Sequence, residues 1–126
     1  MKYMLIVVVL FCFFKSSAQT NESSEDQDTV RKAALATYYH PKFEGRRTSS
    51  GTRYHAKKLT AAHRSLPFGT IVTVTNPENG KSVKVKITDR GPFVKRIAID
   101  LSERAAKLIG IFNEGIAKVS LKYVLH

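Results

Sequence analysis

Two neighbouring segments of the chain show strict alternation of apolar and polar residues. Residues 70–75 (TIVTVT) and 82–88 (SVKVKIT) alternate with a period of two, which is typical of strands with one buried face. Between them lies Asn79-Gly80, a dipeptide strongly favoured in tight turns between antiparallel strands. This pattern predicts a β-hairpin.

The second predicted strand has chemically different faces. Val83, Val85 and Ile87 fall on one side, whereas Lys84 and Lys86 fall on the other. We therefore expect the valine and isoleucine face to be buried and the lysine face to form a cationic ridge on the surface.

The rest of the chain adds short strands and one helix. Residues 41–58 are rich in Gly, Ser, Thr and Arg and have no sustained period, which indicates a long surface loop of the kind that often carries function. Because closure removes exposed edges, short strands without a sequence repeat favour a small closed barrel. The predicted elements are strands at 33–40, 97–100 and 115–125, and a helix at 103–109 capped by Ser102.

The first residues have the composition of a secretory signal peptide, residues 1–18. Lys2 precedes an apolar run from Tyr3 to Phe14, and small residues follow it up to Ala18, where we expect cleavage. The run is shorter than the roughly 20 residues of a membrane-spanning helix, so a permanent anchor is the weaker interpretation. Lipidation of Cys12 is conceivable, but the bulky residues around it suit a lipoprotein signal poorly.

The next segment, residues 19–32, is predicted to be a flexible polar tether, because Thr20 to Asp28 contains no apolar residue. Residues 33–126 then form one domain with a single small core. We expect export to the periplasm or cell envelope, with secretion as a further possibility.

The charge is strongly one-sided. The chain has 21 Lys and Arg against 10 Asp and Glu, a formal net charge of +11. For an exported protein this favours binding to acidic wall polymers, glycans or lipid head groups rather than to nucleic acid. A role in solubility alone is the alternative interpretation.

Signatures of cofactors and metals are missing from the sequence. The four histidines lack ligand spacing, Cys12 is the single cysteine, and neither a Gly-rich phosphate loop nor a serine nucleophile elbow is present. We therefore predict neither a metal site nor a cofactor.

Four stretches in order resemble the rare lipoprotein A family: FEGRRTSSG (43–51), LTAAHRSLPFGT (59–70), VTVTNPENGKSVKVKITDRGPF (72–93) and IAIDLSERAAKLIG (97–110). The resemblance implies a six-stranded double-psi β-barrel with one or two short helices. It further implies an endolytic lytic transglycosylase that cuts between N-acetylmuramic acid and N-acetylglucosamine in peptide-poor strands and leaves 1,6-anhydro ends.

By the same resemblance, the catalytic residues are Asp89 and His63. Two positions depart from the family pattern. The place of a functional glutamate is taken by Thr52, and the usual Tyr-Asp pair reads Tyr54-His55. A threonine cannot carry a charge or shuttle a proton as a carboxylate can.

Asp89 is also the best candidate acid on chemical grounds. It ends a strand and precedes Arg90-Gly91-Pro92, where the chain turns sharply. A single carboxyl group can serve anhydro-forming cleavage, because the C6 hydroxyl of the sugar replaces an external nucleophile. To act as an acid, Asp89 needs a raised pKa, which a nearby Arg90 would oppose. Taken alone, the motif equally suits a turn cap.

The other candidates have structural alternatives. His63 fits a partner of the carboxyl group or an interior residue, and Asp100 fits a second acid or a cap of the following helix. Aromatic side chains could stack on sugar rings or simply pack in the core, and arginines could bind muramic acid carboxylates or remain solvated. The predicted substrate-binding residues are Tyr39, Phe43, Arg46, Arg47, Tyr54, Thr60, Arg90 and Asp100.

The sequence thus favours a lytic transglycosylase that acts on peptidoglycan glycan strands. A non-catalytic, expansin-like binding module is the alternative, and Thr52 favours it. A septal interaction protein that only recruits partners is a third hypothesis. We expect a monomer, with septal proteins as candidate partners.

Overall fold

The computed structural model describes residues 28–125, and these form a mainly β structure. Six strands, one short α-helix and one turn of 3₁₀ helix are present in this range, as the family resemblance implied. In chain order they are β1 (Thr29–Tyr38), the 3₁₀ turn (Pro41–Phe43), β2 (Thr60–His63), β3 (Ile71–Thr75), β4 (Ser82–Asp89), β5 (Ile99–Leu101), α1 (Glu103–Leu108) and β6 (Ala117–Val124).

The six strands close into a barrel in the order β1-β5-β2-β4-β3-β6. Strand pairs β1/β5 and β2/β4 are parallel, and the other neighbours are antiparallel. Closure gives each strand two partners, so its backbone hydrogen-bonding groups are used inside the domain.

Strands β3 and β4 form the antiparallel hairpin that the alternation predicted. Val83, Val85 and Ile87 are buried, whereas Lys84 and Lys86 are exposed. The buried residues join the main core, which fills the barrel with aliphatic side chains from β3, β4, β5 and β6. Burial of each such side chain contributes about 1.5–3 kcal/mol to folding.

The turn of this hairpin also matches the prediction. Gly80 has φ +72°, in the left-handed region that favours glycine. The side chain of Asn76 donates a hydrogen bond of 2.8 Å to the carbonyl of Ile109, which ties the turn to the end of α1. At the other end of α1, Ser102 is the N-cap, and its hydroxyl accepts from the amide of Ala105.

Strand boundaries differ from the predictions at several places. Strand β1 begins at Thr29, inside the predicted tether, because Thr29 and the residues after it pair with β6 up to Val124. Composition does not show such pairing. Strand β2 was not predicted, because its four residues TAAH are too few to show a period; β4 and β5 hold it from both sides.

The predicted signal peptide, Cys12 and most of the predicted tether lie outside the described residues. Within residues 28–125, none of the helices has the length and apolar composition needed to span a bilayer.

Candidate active site

A cleft of about 490 Å³ opens where β4 and β5 end and the long loop after β1 folds back on the barrel. Most of the predicted site residues line this cleft. They are the aromatic Tyr39, Phe43 and Tyr54, the basic Arg46, Arg47 and Arg90, and the acidic Asp89 and Asp100.

Strand β2 brings the two acids together although they are far from it in sequence. Ala62 of β2 lies opposite Asp89 of β4 on one side and opposite Asp100 of β5 on the other. With neighbouring strands about 4.8 Å apart, the backbones of the two acids are separated by roughly 10 Å. Ala62 is buried and packs with Tyr39 and Tyr54, two of the aromatic residues that line the cleft.

Asp89 is held by hydrogen-bond donors on both carboxyl oxygens. Oδ2 accepts from the hydroxyl of Tyr39 at 2.6 Å. Oδ1 accepts from the amide and hydroxyl of Ser49 at 2.9 and 2.8 Å, and from the amide of Arg90 at 2.9 Å. Burial raises the pKa of Asp89, but these donors outweigh burial and hold its pKa below the usual value. Asp89 therefore lacks the raised pKa that a general acid would need, and the group is ionised at neutral pH.

Asp100 has the opposite environment. Burial, and to a smaller extent the negative charge of Asp89, raise the pKa of Asp100 to about 7. Its Oδ1 is buried and has no hydrogen-bond partner within the described part of the chain. A buried carboxylate oxygen without a donor makes the ionised form costly, so this environment shifts Asp100 towards the neutral acid. Two carboxyl groups with pKa values pushed apart are the usual arrangement of a proton donor and an ionised partner.

Tyr39 is fixed by its aromatic neighbours. Its ring stacks on Tyr54 with centroids 4.2 Å apart and meets the edge of Phe43 at 5.8 Å. Burial and the hydrogen bond to Asp89 both raise the pKa of Tyr39, so its hydroxyl stays protonated and can act only as a donor to that carboxylate.

The loop that presents Ser49 is held by a triangle of hydroxyl groups. Thr48, Ser50 and Thr52 lie with their side-chain oxygens 2.9 to 3.1 Å apart. The amide of Ser50 also donates to the carbonyl of Thr88, next to the catalytic candidate on β4. Thr52 thus braces this turn and does not line the cleft.

The second departure from the family pattern, His55, has a partner outside the cleft. Its Nδ1 lies 3.0 Å from Oε1 of Glu44, and the same carboxylate accepts from the amide of Ala56 at 2.8 Å. The hydrogen bond from Ala56 and the contact with His55 lower the pKa of Glu44. This pair closes the base of the long loop.

His63 is not among the residues that line the cleft. Its Nδ1 accepts from the amides of Ser65 and Leu66 at 3.2 and 3.1 Å. Burial, followed by the nearby charges of Lys32, Arg64 and Arg90, lowers the pKa of His63, so the ring is neutral. A catalytic role for His63 stays a prediction, because the described contacts of Asp89 do not include it.

Arg90 lines the cleft but does not pair with Asp89 through its guanidinium group. Its Nη1 donates to the carbonyls of His63 and Leu66 at 3.1 and 2.8 Å, and the group lies 4.0 Å from the ring centroid of Phe68. The guanidinium group of Arg90 therefore forms no ion pair with Asp89 in the described residues. Arg90 does lower the pKa of Asp89, as expected, but it does so through the hydrogen bond of its backbone amide.

Thr60 also lies away from the cleft. Its carbonyl accepts from the amide of Ser102 at 2.9 Å, and it pairs with Lys86 in the sheet. Ser49 and Phe93, in contrast, line the cleft and were missed. The composition of the loop indicated a functional segment but did not single out Ser49. Its contact with Asp89 joins residues 40 positions apart, which local patterns do not show.

Groups of three or more His, Cys, Asp or Glu side chains that could hold a metal ion do not occur among residues 28–125.

The family profile described as lytic transglycolase matches residues 31–121, most of the barrel. The chain belongs to this family. It is 54% identical over 93 residues to the Synechocystis protein named "Probable endolytic peptidoglycan transglycosylase RlpA", covering 74% of this chain and 29% of that protein. It is 44% identical over 108 residues to the Haemophilus influenzae "Endolytic peptidoglycan transglycosylase RlpA", covering 86% and 38%.

The chain therefore spans only about a third of the length of these curated lytic transglycolase relatives. Solved structures support the fold. A Streptomyces papain inhibitor superposes with a TM-score of 0.62 at 24% identity, covering 76% of this chain and 96% of that chain. An expansin from Clavibacter michiganensis in complex with cellohexaose superposes with a TM-score of 0.61 at 25% identity, covering 76% and 51%. The double-psi β-barrel that the sequence resemblance implied is confirmed.

Proposed function

We propose that this chain is an endolytic lytic transglycosylase that cleaves peptidoglycan glycan strands. The observation that carries the proposal is the pair of carboxyl groups in one cleft, Asp100 with a pKa near 7 and Asp89 ionised. Family membership and the names of the relatives point to the same reaction.

The two acids divide the work of the reaction. Protonated Asp100 donates its proton to the oxygen that bridges C1 of N-acetylmuramic acid and N-acetylglucosamine, and the C1–oxygen bond breaks. Ionised Asp89 stabilises the positive charge that develops at C1 and accepts the proton of the C6 hydroxyl as O6 bonds to C1. The products are a 1,6-anhydro end and a free hydroxyl, without water as a reactant. One proton passing from Asp89 to Asp100 through solvent restores the starting state.

This assignment revises the role expected for Asp89. A single carboxyl group that both gives and takes the proton needs a pKa near the working pH, whereas the donors from Tyr39 and Ser49 keep the pKa of Asp89 low. Asp100, which the sequence suggested as a substrate contact, is the better proton donor.

The walls of the cleft suit strands stripped of peptides. Arg46 and Arg47 are exposed beside the cleft, where their guanidinium groups can bind the lactyl carboxylates that peptide-free muramic acid carries. Phe43, which is only partly buried, supplies an apolar face.

The test is to incubate the purified chain with peptide-free glycan strands and to detect 1,6-anhydromuramyl ends by mass spectrometry. We expect product from the parent and from Glu114→Gln, a matched control at an exposed acid, and a loss of about 10³-fold or more in Asp100→Asn and Asp89→Asn. Full activity in Asp100→Asn would refute the proton-donor role, and no product from the parent would refute the enzyme.

A second candidate function is binding without catalysis, as an expansin-like wall module. The similarity to the expansin solved with cellohexaose and the exchange at Thr52 favour it. Tight binding of glycan strands by the parent, with no anhydro product, is the outcome that supports this alternative.

We further propose that the protein is exported through signal peptide 1–18 and acts as a monomer in the envelope, with septal proteins as candidate partners. N-terminal sequencing of the exported protein should begin at Gln19. Light scattering of the purified chain should give the mass of one copy.

A further inference from the structure

Phe93 is the most exposed large apolar side chain of residues 28–125, at 86%. Its neighbour Val94 is 53% exposed. An exposed phenylalanine ring does not contribute the free energy of folding that a buried ring would contribute. Stability of the fold therefore does not explain this exposed position. The ring lies at the rim of the same cleft that contains Asp89 and Asp100.

The segment that carries Phe93 is held firmly. Nη1 of Arg64 donates to the carbonyls of Pro92, Val94 and Ile97, at 2.8, 3.3 and 2.7 Å. One guanidinium group thus fastens the backbone on both sides of the phenylalanine. The exposed ring is presented from a fixed backbone, which lowers the entropic cost of using it in binding.

The ring lies close to the turn that leaves β4. Gly91 has φ +127°, a conformation that favours glycine, and the position where its Cβ would be lies 3.6 Å from Cε2 of Phe93, an ordinary van der Waals distance. The turn that follows Asp89 therefore brings the backbone directly to Phe93.

The cleft also contains polar groups. Arg46 and Arg47 line it, together with the Phe43 ring, whose centroid lies 5.4 Å from the Arg46 guanidinium carbon. A sugar in the cleft would therefore find charged donors as well as apolar rings. Pyranose rings have this combination, with C–H groups on their faces and hydroxyls around the edge.

We infer that Phe93 is a carbohydrate-stacking platform that binds the apolar face of one pyranose ring of the glycan strand, in a subsite next to the acid pair. The inference rests on the proposed function for the class of ligand. It adds a specific contact that neither the sequence resemblance nor the predicted site residues included.

The chain contains no tryptophan, which makes a direct test possible. Phe93→Trp places a single indole on the platform, and Ile71→Trp places one at an exposed position that lines another cavity. Titration with peptide-free glycan oligomers should change the emission of Phe93→Trp saturably and leave that of Ile71→Trp unchanged.

Phe93→Ala is the matching deletion, and its exposed position means that the fold should persist, as thermal unfolding will check. We expect roughly tenfold weaker binding of glycan oligomers by Phe93→Ala and parent-like binding by Ile71→Ala. Equal affinity of Phe93→Ala and parent, with silent Phe93→Trp emission, would overturn the platform.

The readouts separate this inference from the proposed function. Anhydro ends from the parent, together with unchanged binding by Phe93→Ala, would overturn the platform alone. Binding that depends on Phe93, without product from the parent, would support the platform and overturn the enzyme. Emission of Phe93→Trp that shifts with protein concentration in the absence of glycan would assign the ring to self-association and overturn the inference.

Discussion

The hydroxyl of Tyr39 donates a 2.6 Å hydrogen bond to Oδ2 of Asp89, from a ring that Tyr54 fixes by stacking. This contact joins the end of β1 to the end of β4 and keeps the carboxylate ionised. The charge of Asp89 in turn helps to raise the pKa of Asp100. The proposed proton donor therefore depends on a hydroxyl that does not itself touch it.

Tyr39→Phe should raise the pKa of Asp89, because a strong donor is lost while the stacked ring is kept. We expect about a tenfold loss in kcat, because the carboxylate loses the hydrogen bond that holds it in position, and this loss outweighs its greater basicity. The matched control is Tyr38→Phe, whose hydroxyl donates to the carbonyl of Phe112 outside the cleft. An unchanged kcat for Tyr39→Phe would show that the hydrogen bond from Tyr39 to Asp89 does not contribute to catalysis.

Activity should depend on pH through Asp100. The acid must be protonated to donate, so kcat/KM should fall above about pH 7, by about tenfold per pH unit. On the acid side, activity should persist below pH 5, because the pKa of Asp89 is lowered and the group stays ionised there. Rates on glycan strands between pH 4 and 9 will check this. A profile that rises through pH 7 would contradict the assignment.

Asp100→Asn should stabilise the fold at alkaline pH. The folded state raises the pKa of Asp100 from 3.8 to about 7, so it binds the proton more tightly than the unfolded chain does. The parent therefore loses stability as pH rises from about 4 to 7, a loss that asparagine avoids. We expect the free energy of unfolding of the variant, relative to that of the parent, to be roughly 2 to 4 kcal/mol higher at pH 8 than at pH 4.

Urea unfolding of both proteins at the two pH values measures this difference, and Glu114→Gln serves as the exposed control. A stability difference between Asp100→Asn and the parent that stays constant from pH 4 to 8 would mean that Asp100 titrates as an ordinary aspartate.

The hairpin turn offers a test of the fold alone. Gly80 has φ +72° with no atom within 4 Å of a built Cβ, so a side chain there meets strain but no clash. Gly80→Val should destabilise the domain by about 1 to 2 kcal/mol, whereas Gly80→Asn should cost less, because asparagine tolerates this conformation. Thermal unfolding of the two variants checks this explanation. Equal destabilisation by valine and asparagine would show that backbone strain is not the cause.

Local patterns in the sequence predicted the elements that have local causes. The alternation around Val85 and the Asn79-Gly80 step defined the hairpin, and Ser102 marked the start of α1. The short strand β2 escaped prediction, because pairing with two distant strands holds it in place, a cause that four residues cannot show.

The same limit applies to the site. Position in the motif identified Asp89, but its pKa depends on Tyr39 and Ser49, each at least 40 positions away. The raised pKa of Asp100 depends on burial and on the charge of Asp89, and only three-dimensional contacts show either. Sequence thus named most of the residues in the cleft, whereas the contrast between the pKa values of its two acids shows only in the folded structure.

The central claim is that Asp100 holds a proton near neutral pH because it is buried beside a charged Asp89. Carbon-13 NMR titration of the aspartate carboxyl groups in the parent and in Asp89→Asn measures it most directly. We predict a pKa near 7 for Asp100 in the parent and a lower pKa once the charge of Asp89 is removed. A pKa near 4 for Asp100 in the parent, unchanged in Asp89→Asn, would contradict the account.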